Sequence, residues 1–95
     1  MRGEDPAMPV FSSADDATAH HRFVDWIDSN QTGLVINRKG DQDTVLHRAS
    51  CGHFKPYNWA NQTNNVKACS LDRVKLEHWA EVEGVERLQL CRDCL

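Results

Sequence analysis

An α+β fold, a small antiparallel sheet carrying two helices, is expected of this 95-residue chain on three grounds. Two segments space their apolar residues at helical intervals, and four short runs are rich in β-branched or alternating residues. Four cysteines, Cys51, Cys69, Cys91 and Cys94, end in a Cys-x-x-Cys at the last residues of the sequence, where a chain frays unless something ties it down. At this size one domain is expected, with a core that leaves little surplus stability, so a staple would help it. A composition of 40% hydrophobic and 26% charged residues excludes both a wholly disordered chain and a membrane span.

Residues 1–9 contain no apolar stretch of the kind a secretory signal needs, and they read as a disordered tail or a remnant of expression. The domain is therefore expected over 10–95, in the cytoplasm. Ser13-Ala14-Asp15-Asp16 has the form of a helix N-cap, and Ala19, Phe23, Trp26 and Ile27 follow at helical spacing, predicting a first helix over about 13–29. Gly33 stops it, and Leu34-Val35-Ile36 opens a strand. After the polar turn 38–43, residues 44–51 place Val45, His47, Ala49 and Cys51 on one face of a second strand, antiparallel to the first. The stretch 52–65 is irregular and long enough to be functional or pinned. Val66-Lys67-Ala68-Cys69 predicts a third strand. Ser70 is a candidate cap for a second helix with Leu71, Val74, His78 and Val82 along one side and Leu76 and Trp79 on a second strip, ended by Gly84. Leu88-Gln89-Leu90-Cys91 is a last short strand running into the knuckle.

In a reducing compartment four cysteines read as metal ligands before disulfides, and Cys-x-x-Cys presents two thiolates at a spacing that tetrahedral zinc accepts. Cys51 and Cys69 fall at expected strand ends bordering the long loop, so a structural Zn2+ held by Cys51, Cys69, Cys91 and Cys94 is expected. His53 is the replacement ligand, because Gly52 lets the backbone bring it beside Cys51. His47 lies four residues before Cys51; on a straight strand the two stand about 13 Å apart and cannot share an ion. His47 is therefore read as a half-buried strand residue, ahead of a ligand or proton-transfer role.

Four thiolates close the coordination sphere, so the site is expected to be structural and the protein not an enzyme. A zinc deaminase would need His-x-Glu and Pro-Cys-x-x-Cys, and neither occurs. A thioredoxin-like pair needs a helix starting at the knuckle, and one residue follows Cys94. A Cys/His nucleophile pair such as Cys51 with His47 or His53 stays open, since dyads form in space.

A zinc clamp at Cys51 and Cys69 would hold the loop between them at both ends. Arg48, His53, Lys55, Tyr57 and Trp59 make a basic and aromatic segment suited to stacking on bases and binding phosphates, although Trp59 could equally pack inward. The net charge of −3 argues against nonspecific coating of nucleic acid. Over 34–67, five bases (Arg38, Lys39, Arg48, Lys55, Lys67) against two acids give a local +3, and the rest of the chain carries −6. Either that middle segment is a face for an anionic ligand or the charges are ordinary solvated surface. The expected partner is nucleic acid or a protein. The alternative protein-interaction or inhibitory module would offer its acidic side, Glu77, Glu81, Glu83 and Glu86, to a basic partner.

The ordered phrases Gly33-Leu34-Val35-Ile36-Asn37, Leu46-His47-Arg48-Ala49-Ser50-Cys51, Lys67-Ala68-Cys69-Ser70, Trp79-Ala80 and Cys91-x-x-Cys94 resemble an uncharacterised small bacterial Cys/His zinc-binding domain. That domain is associated with restriction-type and other DNA-handling proteins. The resemblance spans roughly residues 20–95 and implies a zinc finger-like recognition module more than a catalyst.

Overall fold

A computed structural model describes residues 8–39, 43–54, 63 and 65–95; of Asp43 and His53 only the backbone is described. Its elements are β1 (Val10–Phe11), α1 (Ala19–Ser29), β2 (Leu34–Lys39), β3 (Asp43–Arg48), β4 (Val66–Ser70), α2 (Arg73–Val82) and β5 (Gln89–Leu90), with a 3-10 turn at Gly52–Phe54. The five strands form one sheet in the order β1-β4-β2-β3-β5. The expected α+β order is present, with one added strand and one correction to the antiparallel sheet expected. Residues Val10 and Phe11 pair antiparallel with Ala68 and Lys67, and β5 runs parallel to β3, which makes the sheet mixed.

Side-chain alternation sends the two helices to opposite faces. Val35, Ala49, Cys51 and Cys69 pack with Phe11, Ala19, Phe23 and Ile27 on the α1 side. Their neighbours Ile36, Leu46 and Ala68 pack with Leu76 and Ala80 on the α2 side. The domain is three layers thick, with the sheet in the middle.

Three local expectations are corrected. The first helix begins at Ala19, six residues later than its cap signal. Ser13 is drawn across the fold instead: its N–H donates to Thr63 O at 2.8 Å and its hydroxyl meets Thr63 Oγ1. Asp16 then organises the entry to α1, accepting from Thr18 N, Thr18 Oγ1 and Arg22 Nη1. The second helix is capped by Asp72, whose carboxylate accepts from Val74 N at 2.9 Å, while Ser70 Oγ accepts from Asp72 N. Its buried residues are Leu76 and Ala80, with Trp79 partly buried beside them, so the strip of Leu71, Val74 and Val82 faces outward.

The tail expected outside the fold starts to pack before residue 10. Met8 lies against the α2-side core, and Pro9 O accepts from Cys69 N at 3.0 Å; residues 1–7 lie outside the described residues. Two glycines are required by geometry. A Cβ on Gly33 would stand 2.6 Å from Trp26 Cη2, and Gly84 has φ +82° just after α2. Among the described residues no helix is long and apolar enough to cross a membrane.

Candidate metal centre

Four candidate ligand atoms, from His47, Cys51, Cys91 and Cys94, lie within 4.8 Å of one another. The first three residues are buried and Cys94 is partly so. Each is positioned by backbone. β3 ends at Arg48, and a turn at Ala49-Ser50, closed by Cys51 N donating to Arg48 O at 3.0 Å, folds Cys51 back toward His47. The straight-strand distance expected between His47 and Cys51 does not apply, because the strand stops between them. Phe54 N donates to Cys51 O at 3.0 Å, and the Phe54 ring packs edge-on to His47 at 4.9 Å, fixing the imidazole from the interior side.

The C-terminal knuckle arrives along β3. Cys91 N donates to Leu46 O, continuing the parallel pairing by one residue, and Leu95 N donates back to Cys91 O, both at 2.9 Å. Arg48 then holds the other half: its N–H donates to Cys94 Sγ at 3.1 Å and its Nε to Cys94 O at 2.7 Å. The last turn of β3 thus provides one candidate ligand and braces a second.

The thiols are tuned in opposite directions. At Cys91 burial works against the thiolate, but N–H groups of Asp93 and Cys94 and the thiols of Cys94 and Cys51 outweigh it and lower the pKa. Donors aimed at a sulfur favour the anionic form that binds metal. At Cys69 burial dominates and pushes the thiol well above its usual value, with Lys67 opposing.

Cys69 is the expected ligand that the structure places elsewhere. Val35 pairs with His47 on one side and with Cys69 on the other, so Cys69 sits two strand spacings from His47, roughly 10 Å across the sheet. It is a fully buried core residue of β4, and His47 stands in the position expected of it. A signal for His47 was present in the sequence: Ser50 and Gly52 around Cys51 are turn residues, and a turn there shortens the His-x-x-x-Cys span.

The other sequence candidates divide. Arg48 lies at the centre's edge, bound to Cys94 as described. Lys55, Tyr57 and Trp59, and the side chain of the alternative ligand His53, lie outside the described residues. Of the five bases of the middle segment Lys55 lies outside the described residues, and Arg38 and Lys67 are on opposite sides of the sheet. Arg38 is on the α2 side, donating from Nη1 to Glu83 Oε1 at 2.9 Å, whereas Lys67 is buried on the α1 side with Nζ 2.8 Å from Asn37 Oδ1. Arg48, bound to Cys94, and Arg92, between Cys91 and Cys94, are exposed bases at the cluster.

Two thiolates on a tetrahedral zinc stand about 3.8 Å apart. Cys51 Sγ and Cys91 Sγ are 3.9 Å apart. One nitrogen and three sulfurs at these separations match a closed four-ligand site with borderline-soft donors, suited to Zn2+. Comparison with protein-family profiles, curated proteins and solved structures found no match.

Proposed function

We propose that this domain is a non-catalytic recognition module whose fold is completed by Zn2+ bound to His47, Cys51, Cys91 and Cys94. The observation that carries the reading is the mutual approach of four donors to within 4.8 Å at a buried corner. Four protein ligands leave zinc no open position for substrate or activated water, so the metal's role is to stabilise the fold. The ion would join the end of β3, the turn after it and the C-terminal knuckle, adding to the Cys91–Leu46 pairing and the Arg48–Cys94 hydrogen bonds that already bring them together.

In sequence, Cys51 is followed by His53, Lys55, Tyr57 and Trp59, and the bases Arg48 and Arg92 belong to the corner itself. That combination of phosphate-binding and base-stacking side chains in one stretch of sequence favours nucleic acid as the ligand. The test is fluorescence anisotropy of zinc-loaded protein with single- and double-stranded oligonucleotides over a salt series. Binding is expected to weaken as salt rises. Lys55→Ala is expected to flatten that dependence and Tyr57→Ala to cost roughly 1–3 kcal/mol of affinity. A zinc-loaded parent that binds neither form at low salt removes the nucleic-acid reading.

A further inference from the structure

The candidate metal corner also brings three thiols together. All four cysteines are reduced, and the sulfurs of Cys51, Cys91 and Cys94 lie within 4.8 Å of one another. Cys91 is the middle of the group, since the thiols of Cys94 and of Cys51, the latter at 3.9 Å, both hydrogen-bond to it. Arg48 holds Cys94 there through its backbone N–H on the sulfur and its Nε on the carbonyl. Exposure separates the three. Cys51 and Cys91 are each 4% exposed, whereas Cys94 is only partly buried, so a small oxidant in solvent meets Cys94 first. Cys69 is wholly buried on β4, with β2 between it and β3, and takes no part.

We propose that Cys94 and Cys91 are a peroxide-oxidisable pair, Cys94 the thiol attacked and Cys91 the thiol that resolves it, whose oxidation dismantles the metal site. The Cys94 sulfur attacks hydrogen peroxide, the O–O bond breaks, and Cys94 becomes a sulfenic acid while the departing oxygen takes up a proton and leaves as water. The Cys91 sulfur then attacks that of Cys94; the S–S bond forms, the S–O bond breaks and a second water leaves. Two thiols and one peroxide thus give one disulfide and two waters, with sulfur oxidised and the peroxide oxygens reduced. A disulfide brings its sulfurs to about 2.05 Å, so the pair has to close by roughly 3 Å at most. His47 and Cys51 are then left as two ligands where tetrahedral zinc takes four, so the ion leaves and the stability it supplied goes with it. The pair is an oxidation site and not a thioredoxin-type catalyst, which needs a helix starting at the knuckle. Loss of the ion rests on the zinc reading above, whereas formation of the disulfide does not.

The experiment takes the full chain reconstituted with Zn2+, reads its metal content by native mass spectrometry, and treats it with a few equivalents of hydrogen peroxide. The denatured mass is expected to fall by about 2 Da, with one zinc passing to a chromophoric chelator for every two thiols lost. Dithiothreitol with added zinc should restore both. Arg92 divides the two cysteines, so trypsin cuts between them, and the unreduced digest should contain a peptide ending Cys91-Arg92 joined to Asp93-Cys94-Leu95. Cys69→Ala should give the same product at a rate within about twofold of the parent. A disulfide that includes Cys69, or one that leaves Cys94 reduced, overturns the proposal, and zinc retained by the disulfide form overturns the dismantling of the site. A chain that binds no zinc yet forms the Cys91–Cys94 bond fails the metal reading and upholds the oxidation site. A chain that keeps its zinc and all its thiols reduced upholds the metal reading and removes the oxidation site.

Discussion

On the α2 side of the sheet, Ile36, Leu46, Ala68, Leu76 and Ala80 make an aliphatic core, whereas on the α1 side aromatic and aliphatic groups are interleaved with His47, Lys67 and the four cysteines. The first face is held mainly by area removed from water, with Thr44 among its few buried polar residues. The second encloses groups that cost free energy to bury unless a partner satisfies them. Lys67 has Asn37 and, through Phe23 at 5.9 Å, an aromatic face. The His47 and cysteine corner could hold a metal ion. The two sides of one small sheet thus respond to different perturbations.

Removing the metal is the largest of these. Structural zinc contributes roughly 10–16 kcal/mol of apparent binding free energy near neutral pH, comparable with the whole stability of a domain this size. Chelation, Cys94→Ser or His47→Ala is expected to abolish the cooperative thermal transition or lower it by tens of degrees, read by circular dichroism with and without added zinc. The comparison breaks if all three leave the transition where it was.

Leu76→Ala probes the opposite face. A fully buried leucine replaced by alanine costs about 2–5 kcal/mol, and Leu76 is fully buried between α2 and the sheet. Denaturant unfolding should report that loss while metal content stays at one ion per chain. A variant that lost its metal as well would mean that the two faces are not separable.

Lys67 sharpens the contrast through pH. Burial lowers its ammonium from 10.5 to about 8, with Cys69 acting in the opposite direction. Because the folded value lies below the unfolded one, the folded chain binds fewer protons between about 8 and 10.5, and stability rises with pH across that window. Below about 8 both states carry the charge and the contribution is flat. Lys67→Met should remove a rise on the order of 3 kcal/mol, measured as the difference between the two urea-unfolding profiles at saturating zinc. Thiol ionisation enters both profiles alike and cancels in that difference. Identical slopes would show that Lys67 keeps an ordinary pKa.

The sequence made the sheet legible where alternation and β-branching coincide, as in β2, β3 and β4. It was less informative where tertiary contact decides. Ser13 has the chemistry of a cap, yet Thr63, fifty positions on, engages it. Along α2 two apolar strips compete, and periodicity alone does not say which one meets the sheet. The strip with the tidier spacing is the one left outside. A two-residue strand such as β1 has no periodicity to find. At the candidate metal corner three of the four clustered side chains, Cys51, Cys91 and Cys94, were readable from residue type and spacing. The fourth was hidden by assuming that β3 stays extended to Cys51, which excluded His47 by distance and left Cys69 as the remaining thiol.

Cys69 therefore gives the smallest effect and the most discriminating one. It lies across Val35 from His47, fully buried, with its thiol held neutral by burial. Cys69→Ala removes one sulfur from a packed interior and should cost roughly 1 kcal/mol. Native mass spectrometry should still find one zinc per chain, and competition with a chromophoric chelator should return an affinity within about threefold of the parent. His47→Ala, measured in the same way, should lose the ion to the chelator under conditions where Cys69→Ala keeps it. The opposite ranking would restore the four-thiolate site and require β4 to approach the knuckle in solution.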